Sequence, residues 1–312
     1  MKNRKTLKTI LSYISTLILV ACMTVSAEIL NEKEIIFPEI TALAIGYLVA
    51  EKRSWKVNGR RMLGLISLCA VFGVLIVRYI RFGIYPQIII AFAISQIVFM
   101  FSKTTFAPLI SAIVLPVMMQ TTSFVYPLAA FLLTVAVILF RKIFESTGIK
   151  EKEPYEPVML NFRADIIDAV IRVICVAAIG YIAFSLDFRF AVAPPLLVVF
   201  TEFSRPNNKA RLKPIKPVLA LTACAFVGVL ARYIINIRSG LPLTIAALTA
   251  TAIMLMILYF AKVYMPPFGA ITILSMIIPQ ASLLTYPLQI FAGSVVIVIL
   301  SRLLFMRRQK SL

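Results

Sequence analysis

The residues with most chemistry to offer form one short run, Lys262-Val263-Tyr264-Met265-Pro266-Pro267-Phe268-Gly269-Ala270-Ile271-Thr272, with a fainter counterpart in Lys103-Thr104-Thr105-Phe106-Ala107-Pro108. Proline suits the first turn of a helix, where its missing N–H would have had no partner. New helices are therefore expected after Pro108 and Pro267, their free N–H groups carrying partial positive charge. A helix start beside a lysine makes an anion pocket, which puts forward Lys103, Pro108, Lys262, Pro266, Pro267 and Gly269 as substrate-binding residues. The competing reading is that the prolines end a tight turn and the lysines reach along the surface to water. Arg78 and Arg232, each followed by Tyr-Ile, are candidates for lining the other mouth of such a path, or for plain interfacial anchoring at a helix end.

Acidic residues are few and unevenly placed: none lies between Lys52 and Phe144 and none after Glu202. Bases near an acid-poor apolar core (Arg78, Arg81, Lys103, Arg232, Arg238, Lys262) tend to face a cavity, a ligand or an anionic headgroup, so a ligand there would be an anion. Glu39, in Phe37-Pro38-Glu39-Ile40-Thr41, reads as an exposed acid at a helix start, with a proton-coupling carboxylate as the alternative. Asp165 and Asp168 fit the first turn of a helix. Histidine is absent, and Cys22, Cys69, Cys175 and Cys224 all lie in apolar blocks, which removes the usual metal sets and points to small buried hydrophobes. No phosphate-binding glycine loop and no nucleophile with an obvious base is present, so the chain reads as no enzyme and needs no cofactor. An enzyme acting on lipid would have to work with Glu39, Asp165, Asp168, tyrosine and lysine.

The elements that must position these residues are membrane helices. Of 312 residues 61% are hydrophobic and 14% charged, in uncharged blocks such as Met62–Val77, Ile84–Ser102, Phe124–Phe140 and Leu241–Ala261. Such blocks suit a bilayer and leave too little charge for a soluble surface. The net charge of +19 falls in loops between them, which makes it a topology signal rather than a nucleic-acid footprint. The lipid bilayer is thus one partner, a small anion another, and a homo-oligomer remains open. The N-terminal Lys2, Arg4, Lys5 and Lys8 before Ile10–Val25 have the layout of a signal peptide. A retained first helix is the preferred reading, because the comparable Ile166–Leu186 recurs in the second half.

An internal repeat is expected from four landmarks in one order. Arg78-Tyr79-Ile80 returns as Arg232-Tyr233-Ile234, Pro86 as Pro242, Lys103 with Pro108 as Lys262 with Pro267, and Tyr126-Pro127-Leu128 as Tyr286-Pro287-Leu288. The fold expected is all-α and polytopic, in two tandem parallel repeats of about six segments: 1–145, a linker at 146–163, and 164–312. The segments run roughly 9–27, 35–50, 62–80, 84–101, 106–120 and 124–140, then 166–186, 190–203, 217–235, 241–261, 265–280 and 284–305. The second and fifth of each six are short and carry proline, so whether they span is open. With an inside N-terminus, Glu51–Arg61, Arg141–Arg163, Arg205–Lys216 and the tail Arg302–Lys310 share one face, as the positive-inside rule asks. Six crossings per half make the repeats parallel and place both termini in the cytoplasm of a multi-pass cell-membrane protein.

At Met265-Pro266-Pro267-Phe268-Gly269-Ala270-Ile271-Thr272 the chain resembles the HPP family of integral membrane proteins, with Met265 where that family's histidine stands. The likeness extends over about residues 190–280, through Pro194-Pro195-Leu196-Leu197, the polar loop Ser204–Pro217 and Ala223-Cys224-Ala225-Phe226-Val227-Gly228. It implies movement of a small, nitrite-like anion. A fainter likeness, through Phe37-Pro38-Glu39-Ile40-Thr41-Ala42-Leu43 before a basic loop, is to the membrane domain of fusaric-acid-resistance exporters, and implies export of aromatic or amphipathic acids. A non-transporting membrane scaffold or partner subunit is the third reading.

Overall fold

In a computed structural model, residues 2–205, 208, 214–262 and 264–305 are described. Of the basic stretches expected on one face, residues 206, 207 and 209–213 of the loop and 306–312 of the tail lie outside them, as does Val263. The described residues form twelve α-helices and no strand. Eight are long and apolar enough to cross a membrane: α1 (Lys2–Ile29), α3 (Gly59–Tyr79), α4 (Ile84–Phe101), α6 (Val125–Ser146), α7 (Phe162–Ser185), α9 (Ile215–Ala231, continued by a π turn to Arg238), α10 (Leu243–Ala261) and α12 (Tyr286–Phe305). Apolar spans of 18 to 24 residues give about 27 to 36 Å of helix at 1.5 Å per residue, the thickness of a hydrocarbon core.

The other four are short: α2 (Glu39–Ala44, prolonged by a π turn to Val49), α5 (Pro108–Met119), α8 (Pro194–Ser204) and α11 (Pro267–Leu274). They are mostly apolar and almost wholly buried on every face, whereas each long helix keeps an outward row such as Leu128, Leu132 and Leu139 on α6. A helix buried on every face is surrounded, so the four short helices form the centre and the eight long ones the wall. Prolines begin three of them, at Pro108, Pro194 and Pro267, as the sequence requires.

Both halves run long, short, long, long, short, long. Within them α3 and α4 pack on α5, and α9 and α10 on α11; across them α1 meets α10, α4 meets α7, α2 meets α11 and α5 meets α8. Particular contacts also recur. Gly73 of α3 presses on α5, where a Cβ would lie 2.4 Å from the Ile113 carbonyl oxygen; Gly228 of α9 presses on α11, 2.5 Å from that of Thr272. The Tyr126 hydroxyl donates to the Ala112 carbonyl (3.1 Å) with its ring edge-on to Phe37, and the Tyr286 hydroxyl donates to that of Ile271 (2.9 Å) with its ring edge-on to Phe190.

The short helices connect the two ends of the wall. The start of α2 lies by Met23, near the end of α1, while its far end at Tyr47, Val49 and Ala50 is held by Arg141 of α6 and Lys150 of the loop that follows it. Segment α5 starts beside Thr105, bonded to Lys56, and ends at Gln120, bonded to Gln87 at the start of α4. The chain therefore passes from end to end through the short helices too. The segments expected at 35–50 and 106–120 hold the short helices α2 and α5, which make contacts toward both ends of the wall and are not among the eight candidate spans.

Candidate functional site

One end of the bundle is basic and opens into a vestibule of about 1290 Å³. Its lining mixes the bases Lys8, Lys52, Arg53, Lys56, Lys150 and Arg205 with the acids Glu51, Glu151, Glu153, Glu156 and Glu202, and includes Trp55, Tyr264, Met265 and Pro266. Arg141 fixes one side: its side chain is 2% exposed, its Nε donates to Glu145 (2.7 Å), Nη1 to the Tyr47 carbonyl (2.8 Å) and Nη2 to the Glu151 carbonyl (2.9 Å). Arg53 completes this network through Glu145 (2.8 Å) and the backbone of Glu153 (3.1 Å), and both guanidinium groups lie over the Tyr47 ring. The planar fork of arginine suits such multiple acceptors. Lys150, in the loop after α6, gives its ammonium to the Val49 and Ala50 carbonyls. Burial, reinforced by the Arg141 charge, pushes its pKa down to about 8.

Trp55 joins the halves in that lining. Its indole Nε1 donates to the Glu202 carboxylate of α8 (2.8 Å), and its ring stands edge-on to Phe106 and fills the space a side chain on Gly46 would need. Beneath it, sharing Pro266 with the vestibule, is a second space at the centre of the protein. Its lining follows one rule: a residue at each short helix's start and the one three later, namely Glu39 and Ala42, Pro108 and Ser111, Pro195 and Val198, Pro267 and Ala270. Residues three apart share a helix face, so four first turns face one another here. The volume is about 10 Å³, on the order of one water molecule.

Glu39 is the one ionisable side chain in that lining and is 1% exposed, which corrects its reading as an exposed helix-start acid. One carboxylate oxygen accepts a short hydrogen bond from the Ser111 hydroxyl; the other, Oε2, has no partner. The centre is therefore not free of carboxylates, as the distribution of acids along the chain implied.

The expected site residues separate into three groups. Pro108, Pro266 and Pro267 are brought together at the centre. Gly269 stands beside them, with no room for a Cβ against Thr41 and Ile45. Lys103 and Lys262 are exposed at the basic end and line neither space. Each ends its helix, α4 or α10, in the left-handed conformation with φ of 52°, where a cation also faces the helix's negative end. Arg78 and Arg232 clamp the far end: Arg78 donates to the Thr122 carbonyl (2.6 Å) over the Phe124 ring, and Arg232 to those of Ser275 (2.6 Å) and Ile278 (2.7 Å). Both thus neutralise carbonyls just past the ends of α5 and α11.

Trp55, Ser111, Arg141, Arg172 and Glu202 escaped the sequence reading. Arg172 is buried in α7, bonded to Gln96 of α4 (2.5 Å), which reaches Thr201 of α8. A signal existed for two of them: the chain's one tryptophan lies in a basic loop, and Ser111 lies three residues after a helix-starting proline. Comparison with protein-family models, curated proteins and solved structures finds no match, so the functional reading rests on this geometry.

Proposed function

We propose that the chain is a membrane transporter that carries a small anion between its two halves, entering or leaving by the vestibule. The observation that carries this reading is the alignment of an open vestibule with a constricted centre ringed by the first turns of four short helices. The positive ends of α5, α8 and α11 favour an anion there, and the HPP-like run Met265–Thr272, which forms part of the vestibule lining and of the centre, implies the same class of solute. The matching order of elements and the paired contacts of Gly73 and Gly228, and of Tyr126 and Tyr286, support two related halves. Passage through six segments per half makes those halves parallel. The positive-inside rule then puts the basic end, and both termini, in the cytoplasm of a cell-membrane protein. Lys103 and Lys262 act from the rim, by attracting anions rather than by holding them.

A second reading, export of aromatic or amphipathic acids, is favoured by the vestibule's size and by Trp55, Tyr264 and Met265 in its lining. Flux into liposomes separates the readings, with nitrite, nitrate, chloride and benzoate as solutes and Ala270→Leu as the variant that fills the centre. Saturable inorganic-anion flux, lost in Ala270→Leu, is the expected result. Flux of benzoate alone favours export, and a folded protein that moves none of the four contradicts transport and leaves the scaffold. The pair Lys103→Ala/Lys262→Ala is expected to slow flux at low ionic strength only, since exposed charges are screened beyond about 8 Å at physiological salt.

A further inference from the structure

We propose that Glu39 is a proton-binding site and that its protonation is coupled to passage of the anion through the centre. The coupling half of this rests on the transporter reading; the proton site does not. Glu39 lies at the crossing of four short helices with one oxygen held by Ser111 and the other, Oε2, buried and unpartnered, and the residue lines a space of about 10 Å³. A buried carboxylate is held ionised by a cation or by several donors; the lining holds no cationic side chain and one side-chain donor to it, the Ser111 hydroxyl, so only the partial charge of the helix starts remains to favour the ion.

The surroundings bear this out from each packed element. Segments α5 and α11 contain no ionisable side chain. From α6 the facing group is Tyr126, whose phenol is already given to the Ala112 carbonyl, with Cys69 of α3 beside it. Lys8, Tyr13, Cys22 and Glu28 of α1, and Tyr47 of the turn after α2, are not among the lining residues. Glu202 of α8 is turned to the vestibule, where it holds Trp55.

The consequence is a simple linkage. While Glu39 is ionised, its charge repels an anion from the helix starts that would otherwise attract it. A proton taken up on Oε2 removes that charge and creates an O–H donor in the wall of the same space. Proton and anion then occupy the centre together and leave together, with Glu39 returning to the carboxylate when its proton is released. The two therefore move in the same direction.

Infrared difference spectra of the purified full-length protein in lipid nanodiscs, titrated between about pH 5 and pH 9, the range open to a buried carboxyl, test the site without any transport. A protonated-carboxyl band that titrates in wild type, is absent from Glu39→Gln and shifts in Ser111→Ala is the expected result. A carboxyl ionised throughout, or protonated throughout, would overturn the site. For the coupling, nitrate is the probe, because it has no permeant neutral form. An imposed proton gradient should drive nitrate accumulation by wild type and by Glu39→Asp, which keeps a carboxyl, but not by Glu39→Gln. Accumulation that ignores the gradient, or survives in Glu39→Gln, overturns the coupling. If wild type moves no nitrate, the transporter reading and the coupling built on it fail together, and the infrared titration alone decides the site.

Discussion

Lys150 is held by two backbone carbonyls in a loop whose burial disfavours its charge, so its amine is neutral over a range where a free lysine is not. Its pKa is lowered from 10.5 to about 8. Between those values the unfolded chain binds a proton that the folded one does not, so this group's contribution to stability rises with pH through the window and is lowest below it. Competitive acylation followed by peptide mass spectrometry should find Lys150 half-reactive near pH 8, with exposed lysines near their ordinary value; a Lys150 midpoint at 10.5 contradicts the burial described. Glu39 shows why such environments escape a sequence. An acid beside proline at the start of an apolar segment looks the same whether that segment begins at a membrane surface or in the middle of a bundle. Only the crossing of α2 with α11, with the start of α5 brought alongside, makes it a buried group.

The short helices decide the architecture, and their tightest contacts are glycine against backbone. Gly73→Ala and Gly228→Ala should each lower stability by about 1 to 3 kcal/mol, the usual cost of overpacking, because the added methyl meets a carbonyl that cannot yield. Gly64, on the same α3, meets nothing within 4 Å, so Gly64→Ala should be neutral or gain up to about 1 kcal/mol of helix propensity. Thermal unfolding of the three variants in one detergent checks this, and equal effects at all three positions would contradict the packing. At this scale the sequence was most legible. The segment expected at 84–101 coincides with α4, and the prolines at 108 and 267 begin helices as proposed. The π turns after α2 and α9 were not legible, because they arise where packing forces an extra residue into a turn and leave no pattern of residue types. Of the run Lys262–Thr272, Pro266, Pro267 and Ala270 line the central space, while its lysine belongs to a helix end outside both spaces.

At the largest scale the described residues form a wall of eight long helices around four short ones, with a vestibule at the basic end and helix-end clamps at Arg78 and Arg232 at the other. A transporter of this form must expose its centre to each side in turn, whereas a scaffold keeps it closed. The most direct test is thiol accessibility of Ala42→Cys, which lines the centre beside Glu39, in a protein whose four native cysteines are replaced. In liposomes of one orientation, a small thiol reagent is added to one side at a time. Transport predicts that Cys at position 42 reacts from both sides, faster from the basic end, and is protected by a transported anion. A thiol that reacts from neither side, in protein that unfolds as cooperatively as wild type, would contradict it.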